Sequence, residues 1–228
     1  PLFEDGPPTT DFSVFPGWER VMATTHTEID ATPASLITSP TTGPLPKADQ
    51  IQSSQEANCI THQDCLIKRW KAFVATTAKL PRHLQLDAVN RWANAHPYVE
   101  DWANWGLPDY WETPHEFLMR GGDCEDYAII KYFTLKQLGV SPDDMRIMIV
   151  NDTNLEIFHA VLAVRQKKGE PILLDNQAKS LVPMSAAPQY HLIYSLNERG
   201  WWMANSPSIM ISSNNISVEF QTASGNIH

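Results

Sequence analysis

Apolar positions are unevenly patterned along the chain. Over residues 1–56 eight prolines (positions 1, 7, 8, 16, 33, 40, 44 and 46) interrupt every run, and 24–54 is mostly Thr, Ser and Pro. Such a stretch offers no periodic face to bury, so it reads as an arm in which Phe12, Phe15 and Trp18 dock locally. From Cys59 the pattern turns helical: Leu66, Trp70, Phe73 and Val74 recur at three-to-four spacing, and Pro81 closes the segment. A second helix is expected over 84–96, with Leu86, Val89, Trp92 and Ala93 inward and Pro97 beyond its end. An aromatic loop over 98–117 carries Trp102, Trp105, Tyr110 and Trp111 among Gly106, Pro108 and Pro114. A third helix is expected over 124–138, with Gly139 as a left-handed terminator, Val140 as its hydrophobic follower and Pro142 barring continuation.

After Pro142 the period drops to two. Segments 145–150, 157–165, 171–174 and 190–196 read as strands, separated by Asn151-Asp152, Lys168-Gly169 and Pro188. Alternation places Ile157, His159, Val161 and Ala163 on one face of the second strand, and Phe158, Ala160, Leu162 and Val164 on the other. Both faces are apolar, which marks a central strand covered on both sides. Helices followed by antiparallel strands give an α+β class. Three parts follow: the arm 1–56, a folded domain 57–205, and a polar tail 206–228 with at most an edge strand around 209–218.

Composition narrows the function. The 228 residues are 43% hydrophobic with eight Trp, enough for a packed core and against disorder throughout. The balance of 17 basic against 26 acidic residues gives a net charge of −9, and basic residues cluster nowhere beyond Lys167-Lys168. Nucleic acid is therefore not an expected partner. The surplus carboxylates serve solubility, or hold a hard cation such as calcium. No run approaches 18 apolar residues, so the chain is not expected to span a membrane. It opens at Pro1 rather than Met, and any targeting peptide is expected to have been removed. Three cysteines, at 59, 65 and 124, allow at most one disulfide.

The chemistry concentrates around Gly121-Gly122-Asp123-Cys124-Glu125-Asp126. A cysteine in the first turn of a helix meets unpaired N–H groups and the positive end of the helix dipole, which favour a thiolate. The preceding glycines leave room for a substrate backbone to approach the sulfur, and the Cys124 N–H points where an oxyanion would form. Against this, acids in a first turn are ordinary capping residues, buried cysteines are common, and flanking carboxylates raise a thiol pKa. His159 alone would be a satisfied core histidine. Asp175, closing the apolar run Ile172-Leu173-Leu174, supplies what His159 needs: a carboxylate on a neighbouring strand that fixes its tautomer. Alone, Asp175-Asn176 is a common turn. The three in this order, 35 and then 16 residues apart, are far more specific than any one.

The segments Asp109-Tyr110-Trp111-Glu112-Thr113-Pro114, Gly122-Asp123-Cys124-Glu125-Asp126-Tyr127-Ala128 and Lys131-Tyr132-Phe133-Thr134-Leu135 resemble the bacterial transglutaminase-like cysteine proteinases. His159-Ala160-Val161-Leu162, Leu174-Asp175-Asn176 and Tyr194-Ser195-Leu196-Asn197 extend the likeness, which spans roughly 66–204. The resemblance implies a papain- or transglutaminase-like thiol hydrolase with Cys124 as nucleophile, His159 as general base and Asp175 as its orienter. It implies a periplasmic endopeptidase that cuts a large surface adhesin between small residues in an Ala-Ala context, releasing it and dispersing biofilm. It further implies an inhibitory partner, the periplasmic domain of an inner-membrane cyclic-di-GMP receptor. Calcium bound near the nucleophile is also implied, with Asp123 and Glu125 as first ligands and Asp109 and Asp126 as weaker ones. Such an ion would neutralise the acids that disfavour a thiolate.

Two alternatives stay open: a transglutaminase or amidase that shares the acyl-thioester step, and a non-catalytic binding module with a vestigial Cys124. Cys59, His62 and Cys65 offer three zinc ligands where a closed site needs four. In one continuous helix Cys59 and Cys65 would be separated by about 9 Å of rise. Two unpaired thiols, or a helix starting after Cys59, are the preferred readings, with a bridge open if Cys59 lies in a loop. Trp102, Trp105, Trp111, Trp201 and Trp202 read mostly as packing residues, some lining a groove. A second oxyanion donor would come from the aromatic loop, on its Trp102 or Trp105 side, with the residue left unassigned, and His115 is the remaining histidine near the catalytic helix.

Overall fold

The structure, a computed structural model, describes residues 2, 3, 6–30 and 62–204. The arm beyond residue 30, Cys59 and the tail, with its edge strand around 209–218, lie outside the described residues.

Within the segment that composition marks as an arm, Pro16–Asp30 form helix α1. Proline suits a helix start because its missing N–H would be unpaired there anyway. Trp18, Val21 and Thr25, one face at helical spacing, are fully buried. Trp18 meets Tyr132 edge-on at 5.8 Å between ring centroids, and its Nε1–H donates to the Asn197 carbonyl. Helix α1 is thus part of the core.

Helix α2 spans His62–Thr77, starting after Cys59, and buries Ile67, Trp70 and Val74. Its Cys65 is disulfide-bonded, which corrects the reading of an unpaired thiol and removes Cys65 as a zinc ligand. Pro81 introduces α3, Arg82–Asn94, with Leu86, Val89 and Ala93 inward. Two short helices interrupt the aromatic loop: α4, Asp101–Trp105, ended by left-handed Gly106, and α5, Pro114–Arg120, opened by a Thr113/Glu116 capping box. Helix α6 spans Cys124–Gln137 and is buried continuously from Asp126 to Leu135, so it is the central helix rather than an amphipathic surface one. Gly139 has φ 77° and the Val140 N–H reaches back to the Leu135 carbonyl, the termination expected from sequence.

Six antiparallel strands follow: β1 (Met145–Asp152), β2 (Ile157–Val164), β3 (Ile172–Leu174), β4 (Val182–Pro183), β5 (Tyr190–Asn197) and β6 (Gly200–Met203). They lie in the order β4-β3-β2-β1-β5-β6. On one face Ile147, Ile149, Ala160, Leu162, Val164 and Leu174 pack with the helices. On the other, Met148, Val150, Val161, Ala163 and Leu173 form a smaller core with Leu2 and Ala187. This is the two-faced burial that the alternation of β2 predicts. Thr9 pairs with Trp201 beyond β6, and the Trp201 and Trp202 indoles donate to the Asp11 and Gly6 carbonyls. The N-terminal residues therefore cover the β6 edge. Among the described residues no helix is long and apolar enough to cross a membrane.

Candidate active site

Cys124 stands at the first position of α6 because the chain before it turns twice in little space. Gly121 has φ 76°, and a Cβ there would lie 2.2 Å from the Pro97 carbonyl oxygen. At Gly122 a Cβ would lie 2.3 Å from Asp126 Oδ2. These glycines admit the backbone at Pro97-Tyr98 and the capping carboxylate of Asp126, rather than leaving room for a substrate backbone. Asp126 Oδ2 accepts the Asp123 N–H at 3.0 Å, and its Oδ1 accepts the Glu112 N–H at 2.7 Å. Nucleophile helix and aromatic loop are thereby clamped together.

The site completes itself at an edge within the sheet. β3 pairs with β2 only as far as Leu162↔Leu174, leaving the start of β2 uncovered on that side. The backbone N–H of Ala160 faces the Cys124 sulfur and favours its thiolate. His159, the preceding residue, is 2% exposed, and its Nε2 lies 2.9 Å from Asp175 Oδ1 just past the end of β3. Asp175 Oδ1 also accepts the Gln177 N–H, and Oδ2 accepts the Tyr190 hydroxyl at 2.6 Å. Burial opposes ionisation of Asp175, but the bonds from His159, Tyr190 and Gln177 outweigh it and hold its carboxyl below the usual range. Asn94 of α3 donates to the Asp175 and Ala178 carbonyls and fixes the loop that carries the acid. Tyr190 escaped sequence reading because a tyrosine opening a half-buried strand looks like packing.

The thiol departs from expectation. Burial and the Glu125 and Asp123 charges push it well above its ordinary pKa, and it donates to Glu125 Oε2 at 3.0 Å. The helix terminus and the Ala160 N–H do not offset these acids. The acids themselves are crowded. Asp123, Cys124 and Glu125 present ligand atoms within 4.8 Å of one another, and so do Asp101, Asp123 and Asp126. Burial first, then neighbouring charge, raises Asp101 to about 7, and Asp123 and Asp126 are likewise raised. Asp101 Oδ1 is buried without a hydrogen-bond partner. An all-oxygen donor set with an orphaned carboxylate oxygen suits a hard cation such as calcium. Asp109 belongs to neither group, although burial and Glu125 raise it to about 6. Asp101, 22 residues before Asp123, gave no signal because an acid in a helix's first turn is unremarkable.

The other candidates fall elsewhere. Trp105 is committed, its Nε1–H donating to Glu112 Oε1 at 2.6 Å, while Trp102 is 71% exposed. Trp111 is buried beside Trp18. His115 joins neither cluster.

A cysteine heading a buried helix, set against an antiparallel sheet beside a histidine–carboxylate pair, defines a transglutaminase-like thiol enzyme. The family model of bacterial transglutaminase-like cysteine proteinases (BTLCP) matches residues 55–208. Legionella pneumophila LapG in its EGTA-treated form superposes with a TM-score of 0.59 at 34% identity, covering 73% of this chain and 90% of that one. The calcium-bound form of the same protein gives 0.58 at 34% identity, covering 69% and 88%. No curated protein sequence matches. The chain belongs to the bacterial transglutaminase-like cysteine proteinases and is a cysteine protease similar to LapG.

Proposed function

We propose that this protein is a calcium-dependent periplasmic endopeptidase that cuts a large surface adhesin between small residues and so disperses biofilm. The observation that carries the catalytic part is the His159–Asp175 pair at 2.9 Å, one residue from the Ala160 N–H that meets the Cys124 sulfur. In this reading His159 takes the thiol proton, and the Cys124 sulfur attacks the peptide carbonyl. The oxyanion forms against the unpaired first-turn N–H of α6. The intermediate collapses to an acyl-thioester as His159 gives its proton to the departing amine. Water, deprotonated by His159, then releases the acid and restores the thiol. Asp175 and Tyr190 keep the imidazole oriented throughout.

Asp101, Asp123 and Asp126, with Glu125 at hand, would hold the calcium ion, whose charge would offset the acids around the thiol. The disulfide at Cys65 supports an oxidising compartment, hence the periplasm. Family membership supports the adhesin substrate, and an inhibitory periplasmic domain of a cyclic-di-GMP receptor as regulator.

The test pairs Cys124 alkylation with cleavage of an adhesin N-terminal fragment, each with calcium and with EGTA. Calcium-dependent cutting that is lost in Cys124→Ala is the expected result. No cutting in either condition would overturn the protease reading, and an amine-linked product would move it to transglutaminase.

A further inference from the structure

Oxyanion stabilisation in acyl transfer takes two donors, and the helix terminus supplies one. The phenols around the site can be sorted by what they already bind. The Tyr190 hydroxyl donates to Asp175, that of Tyr110 to Glu116, and that of Tyr127 to the His96 carbonyl. The Trp105 indole donates to Glu112. Tyr98 differs. Its hydroxyl has no hydrogen-bond partner among the described residues, and the residue is 56% exposed, so it is open to a ligand.

Its backbone is pinned across the start of α6. Tyr98 forms a parallel bridge with Gly122, two residues before the nucleophile, and the Val99 N–H donates to the Gly122 carbonyl at 3.0 Å. Its ring stacks on Tyr127, three residues after the nucleophile, at 6.4 Å and 14°. Tyr98 therefore straddles Cys124 along one side of the helix terminus. Burial first, then the neighbouring acidic groups of the α6 start, Asp123 and Glu125 among them, raise the pKa of its hydroxyl, so it remains an O–H. It is an O–H donor carried on the backbone that pairs with the residue two before the nucleophile.

We propose that Tyr98 is a catalytic residue, its hydroxyl donating to the oxyanion of the tetrahedral intermediate as the second partner to the Cys124 N–H. The assignment rests on the acyl-transfer reading above. It makes the tyrosine at the entry of the aromatic loop the donor that the sequence left unassigned.

Tyr98→Phe keeps the ring and its stacking while deleting only the donor. On a fluorogenic peptide with an Ala-Ala bond, in calcium, kcat is expected to fall about 10²-fold with KM nearly unchanged. Iodoacetamide alkylation of Cys124 passes through no oxyanion, and its rate is expected to stay within about twofold of wild type. A peptide aldehyde, whose hemithioacetal carries that oxygen, is expected to bind more weakly in proportion to the loss in kcat/KM. Unchanged cleavage in Tyr98→Phe, or a parallel loss of cleavage and alkylation, would overturn the assignment while leaving the protease reading intact. A wild-type chain that cleaves nothing would remove both.

Discussion

His159 turns its Nε2 toward Asp175 Oδ1 at 2.9 Å, and this leaves Nδ1 as the nitrogen available for proton exchange. The carboxylate accepts, so Nε2 carries the proton and the basic lone pair sits on Nδ1. Asp175→Asn lets the ring flip or change tautomer, and kcat/KM is expected to drop by about 10²–10⁴-fold. The depressed carboxyl also has a stability consequence. Its contribution is present above the ordinary carboxylate range and is lost as pH falls through the lowered folded value. Urea unfolding should therefore show the wild-type advantage over Asp175→Asn at pH 7 shrinking toward pH 3. An advantage independent of pH would mean that the Asp175 carboxylate is not what stabilises the fold.

The acid cluster predicts a calcium-dependent melting temperature. Calcium at about 100 times its Kd stabilises by about 2.7 kcal/mol, or roughly 5–10 °C for a chain of this size. Asp101→Asn removes one ligand and one crowded charge, so it should lose most of the calcium shift yet melt no lower than wild type in EGTA. Asp109→Asn, outside both ligand groups, should keep the shift. Thermal melts of the three proteins in calcium and in EGTA decide this. A full shift in Asp101→Asn would move the ion to the Asp123–Glu125 side.

What could be read from sequence follows what each signal averages over. The Gly139 stop and the two-faced alternation of 157–164 are local patterns, and the fold keeps both. Helix α1 was hidden because its face of Trp18, Val21 and Thr25 is diluted by a long Pro/Thr/Ser stretch. β6 was hidden because Gly200-Trp201-Trp202-Met203 does not alternate. At the site, the nearness of Cys124, Glu125 and Asp126 in sequence made the acids visible, whereas Asp101 and Tyr190 arrive through tertiary structure. The direction of the thiol's shift is a balance of opposing fields. Only the count of buried acids decides it, and spacing does not report burial.

Lys131 lies two turns after Cys124, fully buried, its Nζ 5.7 Å from the Tyr127 ring centroid and without a hydrogen-bond partner among the described residues. Burial lowers its pKa to about 7, against the pull of Asp175. Between about 7 and the unfolded value near 10.4 the folded chain binds fewer protons than the unfolded one, so this group makes stability rise with pH. Lys131→Met removes the effect. With calcium saturating, the variant should be more stable than wild type at pH 6, and the gap should close by about 1 kcal/mol per unit above pH 7. Parallel pH curves from urea unfolding would mean that the ammonium has a hydrogen-bonding or charged partner in solution.

Helix α1 precedes the family match at 55–208, yet its removal should reach the core. Trp18 is fully buried against Tyr132 and Phe133 of the nucleophile helix. Arg20 makes a two-point contact with Glu116, donates to the Trp111 carbonyl, and lies 4.3 Å over the Tyr110 ring. Trp18→Ala is expected to cost about 3–5 kcal/mol, as a large cavity in a packed core does. Arg20→Ala strips one partner from a half-buried network and should cost about 1–3 kcal/mol. Because Arg20 holds the Asp109–Trp111 stretch that leads to Glu112, whose N–H bonds Asp126, Arg20→Ala should also weaken the calcium shift. Trp18→Ala, which empties space against Tyr132 and Phe133 in the second half of α6, should lower stability more than it lowers the calcium shift. Denaturant unfolding of both variants, with and without calcium, checks the pair of expectations. A cost below 1 kcal/mol for Trp18→Ala would make α1 an appendage after all.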